Sequence, residues 1–354
     1  MRNISGWKKA LMLLLCVAFS FSAGPILAAT DTVEEQEPKY KVVTRPTERF
    51  LMQRQRTVPS KDKLSANSIV GVTMGLDTNP LFNSNKKSDG YVQETAGMDF
   101  KYPLNDFKYG PMGSYFGFNM MNVNYFRIND VNMLDGNAYA GIEQGLFDMF
   151  TLSVGYGFEG LWFSHDTNGT FIGNEVNTSI KHKITKRIYQ KVTYRFLGRD
   201  YTGRKARLAN GNKGSKLRVD TRNLVEHELG FFPTDITKLR MTNQVYFNDS
   251  NDEYYDYYDY LNYRLGFSII QYFNPKFYTI TGFYYQLRNY DSRLCSDKYV
   301  VQKDKQYTVT TSLMYDLTKN ISAFVNYSYT ENQSNEPLER YTDNLYTAGV
   351  YYMF

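Results

Sequence analysis

Apolar and polar residues alternate along many short stretches of this chain. In residues 150–162, apolar side chains occupy one set of alternate positions, and small or polar side chains occupy most of the other set. The apolar set is Phe150, Leu152, Val154, Tyr156, Phe158 and Trp162. Because successive side chains of a β-strand point to opposite faces, this period of two predicts strands with one apolar face.

Fourteen such stretches predict an all-β domain over residues 66–354. The predicted strands are 67–77, 90–102, 113–127, 136–147, 149–163, 171–185, 188–200, 216–231, 238–248, 260–273, 276–290, 305–317, 321–332 and 341–354. If the segment 136–147 or a long loop is misread, the count becomes twelve or sixteen, because element boundaries are the weakest part of such a prediction.

The linkers between the predicted strands alternate between tight turns and longer polar loops. Asn274-Pro275 is a tight linker, whereas 201–215 and 249–259 are long and polar. This alternation is typical of an antiparallel up-and-down meander closed into a transmembrane β-barrel, with short periplasmic turns and longer extracellular loops. An even strand count leaves both ends of the barrel in the periplasm.

A soluble β-sandwich would show the same alternation, with its apolar face turned inward. Two features favour the membrane. The predicted strands have about ten residues or more, which suits a tilted span of the hydrocarbon layer. Tyr and Phe also crowd the strand ends, as at Phe231-Phe232 and Tyr272-Phe273, where the aromatic girdles of membrane barrels lie.

The first 65 residues lack this alternation. Residues 1–29 are predicted to be a secretory signal peptide, because basic residues precede the apolar run 10–21 and Ala28-Ala29 offers a cleavage position. Residues 30–65 are polar and charged, and they predict a flexible periplasmic extension. A plug that folds back into a pore and a docking segment for a periplasmic partner are the open alternatives.

Composition narrows the class of protein further. The chain is 42% hydrophobic, 22% charged and 16% aromatic, a composition unlike that of disordered chains. Two Cys exclude a disulfide scaffold, and 3 His with 2 Cys suit zinc chemistry poorly. The mean hydropathy of -0.50 excludes a polytopic helical membrane protein. We expect no metal and no cofactor. The formal net charge of +5 says little about binding partners. We expect no nucleic-acid partner.

The last strand carries a family resemblance. Alternate positions up to the final residue are apolar or aromatic, and they are Tyr346, Ala348, Val350, Tyr352 and Phe354. This pattern resembles the C-terminal strand signal of Gram-negative outer-membrane β-barrel (porin-like) proteins. The resemblance implies a location in the bacterial outer membrane, contact with its lipid and lipopolysaccharide, and recognition of this strand by the barrel-assembly machinery. Addition of such a strand to a sheet edge is a known recognition mode.

Alternation also places basic residues on the inner faces of predicted strands six to nine. They are Lys181, Lys183, Lys191, Arg195, Arg199, Arg218, Arg222, Lys238 and Arg240. Neighbouring strands of a meander pair with one another, so these side chains should form one pore-lining basic wall, partly balanced by Asp220, Glu226 and Glu228. Such walls attract anions. Ion pairing without selectivity, and contacts of strand-end lysines with lipopolysaccharide phosphates, are the open alternatives.

Together these features predict a non-enzymatic channel for small polar solutes, with a preference for anions as an open alternative to a channel without selectivity. One alternative is an outer-membrane component of polysaccharide export, whose Tyr-rich segment 249–260 would meet glycan. Another is a barrel-based lipid hydrolase. For this, residues 164–169 only faintly resemble the His-x-Ser-Asn stretch of outer-membrane phospholipases, and Thr167 stands where their nucleophilic Ser would be. The third alternative is a structural barrel whose lumen is closed.

Overall fold

The structure of the chain is a computed structural model that describes residues 64–82, 87–104, 110–165, 167–296 and 299–354. The predicted signal peptide 1–29 and the predicted extension as far as residue 63 lie outside the described residues. Ser65, assigned by the sequence to the end of the extension, is the first residue of the first strand.

Fourteen antiparallel strands form one closed barrel in which each strand pairs with its neighbours in the chain and the first pairs with the last. They are β1 (Ser65–Asp77), β2 (Asp89–Pro103), β3 (Met112–Tyr125), β4 (Met133–Leu146), β5 (Phe150–Phe163), β6 (Phe171–Lys183), β7 (Ile188–Arg207), β8 (Lys213–Phe231), β9 (Thr237–Ser250), β10 (Tyr260–Tyr272), β11 (Phe277–Leu294), β12 (Val301–Asp316), β13 (Ile321–Ser334) and β14 (Tyr341–Met353). The predicted fold class and strand count are confirmed. Within the described ranges, no helix is both long and apolar enough to cross a membrane.

Two hairpins are longer than the sequence predicts. β7 and β8 have 20 and 19 residues and continue through most of the predicted loop 201–215, and β11 and β12 continue through most of 291–304. About 9–11 residues are enough to cross a bilayer, so these hairpins extend well beyond a single span. The pairing register shifts in both extensions, between Asp200 and Arg207 and between Asn289 and Leu294.

The two faces of the closed sheet differ as the alternation predicts. On β1, the side chains of Val70, Val72, Met74 and Leu76 are 44% to 59% exposed, whereas Thr73 between them is buried. A single closed sheet with its apolar face outward is the reverse of a sandwich, in which that face would be covered. The apolar outside is therefore the surface that lipid would cover in a membrane barrel.

Pairing of β1 with β14 closes the barrel. The end of the barrel at which β1 begins and β14 ends is called the terminal end. The backbone N–H of Ser68 donates to the carbonyl of Phe354 (2.9 Å), and the N–H of Phe354 donates to the carbonyl of Ser68 (3.1 Å). All five residues of the predicted C-terminal signal are exposed; four lie on the outer face of β14, and Phe354 follows directly after it. Inside the terminal end lies an apolar cluster drawn from β1 and β11–β14, comprising Ile69, Tyr278, Ile280, Met314, Phe324, Tyr351 and Met353.

Candidate functional site in the lumen wall

The candidate site is the inner wall of the barrel, and the strand register brings the predicted basic residues together there. Lys181 on β6 lies directly opposite Lys191 on β7, and Lys191 lies opposite Glu228 on β8. All nine predicted residues occupy inward positions, alternating with outward apolar residues such as Ile180 and Phe196, which are exposed. Whether they line a conducting pore stays a prediction.

Two inward arginines extend this wall by two strands beyond the prediction. Arg264 lies on β10 opposite Gln244 of β9. Arg288 lies on β11 between Asn262 of β10 and Asp304 of β12. The alternation that places Arg240 inward also places these residues inward, so the signal was present in the sequence. The inner face of β6–β11 then carries eleven Lys and Arg side chains in the paired register, against the carboxylates Glu175, Asp220, Glu226 and Glu228.

Three of the predicted basic residues form ion pairs within the barrel. Each pair joins an arginine to a carboxylate, and the pairs are Arg199–Glu159 at 2.7 Å, Arg218–Asp220 at 2.5 Å and Arg240–Glu228 at 2.5 Å. Among the described residues, no carboxylate lies within 4.0 Å of five other basic side chains of this wall, Lys181, Lys191, Arg222, Arg264 and Arg288. The expected ion pairing is therefore partial, and positive charge is left over on this side of the lumen.

Arg222 is an arginine of this wall that contacts neutral side chains instead of a carboxylate. Its guanidinium carbon lies 4.4 Å from the ring centroid of Tyr246. Its Nη2 donates to Asn248 Oδ1 (3.1 Å) and to the hydroxyl of Tyr260 (3.0 Å). A cation over an aromatic face is stabilised by about 0.5–2 kcal/mol. These neutral partners fix the guanidinium without cancelling its charge.

The two arginines missing from the prediction are held in the same way. The guanidinium carbon of Arg264 lies 4.8 Å from the ring centroid of Tyr284. That of Arg288 lies 4.8 Å from the ring centroid of Tyr260, and its Nη1 donates to the hydroxyl of Tyr290 (3.1 Å). The abundance of Tyr in this chain therefore serves the inner wall as well as the outer girdles.

A second part of the wall, formed by β12–β14 and β1–β2, is neutral over its middle section, and we call it the neutral half; β3–β5 complete the barrel between it and β6. Its inward side chains there carry mostly hydroxyl and amide groups, and they include Thr308, Thr310, Ser312, Asn326, Ser328, Thr330, Thr347, Thr73, Gln93 and Thr95. Some pair across strands, since Ser312 Oγ donates to Asn326 Oδ1 (2.8 Å) and the hydroxyls of Thr308 and Thr330 lie 3.3 Å apart. The two halves of the lumen thus differ in charge and in hydrogen-bonding chemistry.

Four carboxylates of the neutral half lie at the end of the barrel opposite the terminal end, which we call the far end, whereas Asp99 on β2 and Asp316 on β12 face inward near the terminal end. Asp77, Asp89, Asp304 and Asp343 are buried there. The hydroxyl of Tyr125 donates to Asp77 Oδ2 (2.9 Å). Asp304 lies opposite Arg288 in the strand register, so this carboxylate partly offsets the charge of that arginine.

The Tyr-rich segment 251–259 folds inward at the far end, so part of it cannot meet glycan. Tyr258 is 1% exposed, and the guanidinium carbons of Arg218 and Arg204 lie 3.3 Å and 4.8 Å from its ring centroid. Arg207, which pairs with Asp252 at 3.1 Å, lies 4.3 Å from the ring centroid of Tyr257. Within this segment, Tyr255 keeps about half of its surface exposed.

The carboxyl group of Asp259 links the two ends of this segment. Asp259 Oδ1 accepts a hydrogen bond from the N–H of Ser250 (2.7 Å). Burial, together with the nearby charges of Asp249, Asp256 and Asp291, raises the pKa of Asp259 to about 7, although the hydrogen bond from Ser250 opposes this shift. We therefore expect the stability of the folded segment 251–259 to depend on pH near neutrality.

The stretch considered for lipid hydrolysis lies in an exposed loop. Ser164 Oγ lies 2.9 Å from His165 Nδ1, and both side chains are exposed. The next residue of the stretch, Asp166, is outside the described residues, and Thr167 begins a short 3₁₀ helix. Across the described part of the chain, no group of three His, Cys, Asp or Glu residues is placed to hold a metal ion.

Comparison with known proteins supports the fold and nothing finer. No protein-family model matches the chain, and no curated protein sequence matches it. The outer-membrane channel DcaP of Acinetobacter baumannii is similar in structure, with a TM-score of 0.51 and 12% identity over 82% of this chain and 97% of DcaP. An anion-selective porin from Comamonas acidovorans matches with a TM-score of 0.48 and 9% identity, over 82% of this chain and 99% of that porin.

OmpT of Vibrio cholerae matches with a TM-score of 0.46 and 9% identity, over 83% of this chain and 99% of OmpT. Of these three, the match to DcaP alone exceeds a TM-score of 0.5, and at 12% identity it shows a shared fold. The chain therefore has the fold of porin-like outer-membrane β-barrels, and the resemblance seen in its last strand is confirmed at that level.

Proposed function

We propose that this chain is a porin-like channel of the bacterial outer membrane that passes small polar solutes and prefers anions. In this proposal the terminal end faces the periplasm and the far end faces the outside. Outer-membrane lipid and lipopolysaccharide surround the apolar outer face. The barrel-assembly machinery recognises β14 during insertion, and residues 30–65 are available to a periplasmic partner. No chemical step is involved.

The observation that carries the proposal is the set of inward cations held by neutral partners. Arg222, Arg264 and Arg288 are fixed by tyrosines and an asparagine rather than by carboxylates. A wall of fixed positive charge raises the local concentration of anions and lowers that of cations. Selection would come from wall charge and pore width, as it does in other channels.

The size of the expected effect follows from Coulomb's law. A unit charge about 7 Å from an ion changes its energy by about 0.6 kcal/mol in water, roughly a threefold change in its local concentration. Removal of two such charges should therefore lower the local anion concentration by roughly sevenfold at low salt, and by less at high salt because mobile ions screen the charges.

The test is the reversal potential of refolded protein in a planar bilayer that separates two KCl concentrations. We expect the sign that indicates chloride preference, and a shift toward zero in the double variant Arg264→Gln/Arg288→Gln. The matched control is Lys303→Gln/Lys305→Gln, which removes two positive charges from outward positions of β12. This control should keep the reversal potential of the unchanged protein.

Two outcomes would overturn the proposal. One is the absence of conductance at any salt concentration and voltage. The other is a potassium preference, or a preference that is insensitive to Arg264 and Arg288. Hydrolysis of outer-membrane phospholipid that is lost in His165→Ala would contradict the non-enzymatic part of the proposal.

A further inference from the structure

One row of inward side chains joins the basic half of the lumen to the neutral half. Arg264 on β10 lies opposite Gln244 on one side and Gln286 on the other. Gln286 lies opposite Gln306 on β12, and Gln306 lies opposite Asn332 on β13. At about 4.8 Å between strands, these five residues form a belt roughly 19 Å long in which one guanidinium is flanked by four carboxamides.

We infer that the solutes selected by this lumen are hydroxyl-rich anions, the class of the sugar acids, with the carboxylate held at Arg264 and the hydroxyls held along Gln286 and Gln306. This inference rests on the proposed channel function and specifies its substrate class.

The charged part of the belt suits a carboxylate in particular. A guanidinium is planar and presents paired N–H donors that match the two oxygens of a carboxylate. The face of Arg264 lies against Tyr284, so the edge that carries these donors is the part left to meet a solute. No carboxylate lies within 4.0 Å of Arg264 among the described residues.

The neutral part of the belt suits hydroxyl groups. A carboxamide offers both a donor and an acceptor, and a sugar hydroxyl is itself both. Gln286 makes no side-chain hydrogen bond within the described ranges, whereas Gln306 Nε2 donates to the hydroxyl of Tyr341 (2.8 Å) and keeps its acceptor oxygen.

Below the belt, the same half continues with hydroxyl groups. Thr308 on β12 and Ser328 on β13 occupy inward positions there, and both residues are only half-buried. An anion without hydroxyls would displace water from these polar groups and leave them unpaired, which is costly.

The test compares two monovalent anions built on six-membered rings, glucuronate and cyclohexanecarboxylate, in bilayers with the potassium salt of one on each side. The charge of the two anions is equal, so wall charge alone predicts no hydroxyl-dependent preference. We expect glucuronate to be favoured by about fivefold, the worth of one net hydrogen bond. We expect the double variant Gln286→Leu/Gln306→Leu to lose this preference while it keeps its chloride-to-potassium preference.

Two further variants keep the test decisive. Gln333→Leu changes an exposed, outward-facing glutamine of β13 and should keep the glucuronate preference. Gln306→Asn keeps the carboxamide and should retain most of it, even if the double leucine variant fails to fold. An unchanged protein that prefers chloride but does not favour glucuronate overturns this inference alone. Loss of conductance or a potassium preference overturns the proposed function as well.

Discussion

Val325 and Asn326 are neighbours on β13, yet they face different surroundings. Val325 points outward and is 57% exposed, whereas Asn326 points inward and accepts a hydrogen bond from Ser312. A similar contrast holds over the middle of most strands, where the outer face is largely apolar and the inner face holds most of the polar and charged groups. The outer face therefore suits contact with lipid, while the inner face carries the groups on which the proposed channel function depends.

The largest effect is expected from a charge on the outer face. Val325→Lys should destabilise the folded protein by about 2–4 kcal/mol, because a lysine facing lipid near the middle of the bilayer is costly. Asn326→Lys places the same charge one residue further on, inside the barrel, and should change stability little. The measurement is urea unfolding in lipid vesicles for both variants. Equal losses of stability would show that the two faces do not differ in surroundings.

A smaller effect is expected from a change of pH, which should alter the stability of segment 251–259 at the far end of the barrel. The pKa of Asp259 is raised from its ordinary 3.8 to about 7, so the closed segment 251–259 binds this proton more tightly than an open one would. Its closure is therefore most stable below pH 3.8 and loses stability as the pH rises through about 7. We expect the amide of Ser250 to show a lower hydrogen-exchange protection factor at about pH 8.5 than at about pH 6.

Asp259→Asn keeps an acceptor for the N–H of Ser250 but cannot ionise, so it should remove this pH dependence. Asp130→Asn, in the loop between β3 and β4, is the matched control and should leave it unchanged. Protection that rises with pH would mean that ionised Asp259 stabilises the closed segment, which is the opposite of the expected direction.

The sequence predicts the fold well because the bilayer imposes alternation on each spanning residue. Where β7 and β8 extend beyond a single span, both faces can meet water, so alternation is no longer required and the sequence of 201–215 resembles a loop. Arg264 and Arg288 could have been predicted from the alternation of β10 and β11. The burial of Tyr258 could not, because it depends on Arg204 and Arg218, which lie on other strands and contact it only in the folded barrel.

The most direct test of the central claim uses the fluorescence of Trp162. The chain has 2 Trp, and Trp7 lies in the predicted signal peptide, so Trp162 alone reports in protein without residues 1–29. Trp162 faces outward on β5 and is 38% exposed. If the outer face contacts lipid, phospholipids brominated on their acyl chains should quench this fluorescence, and aqueous iodide should not. Quenching by iodide with no effect of the brominated lipids would contradict a lipid-facing apolar surface.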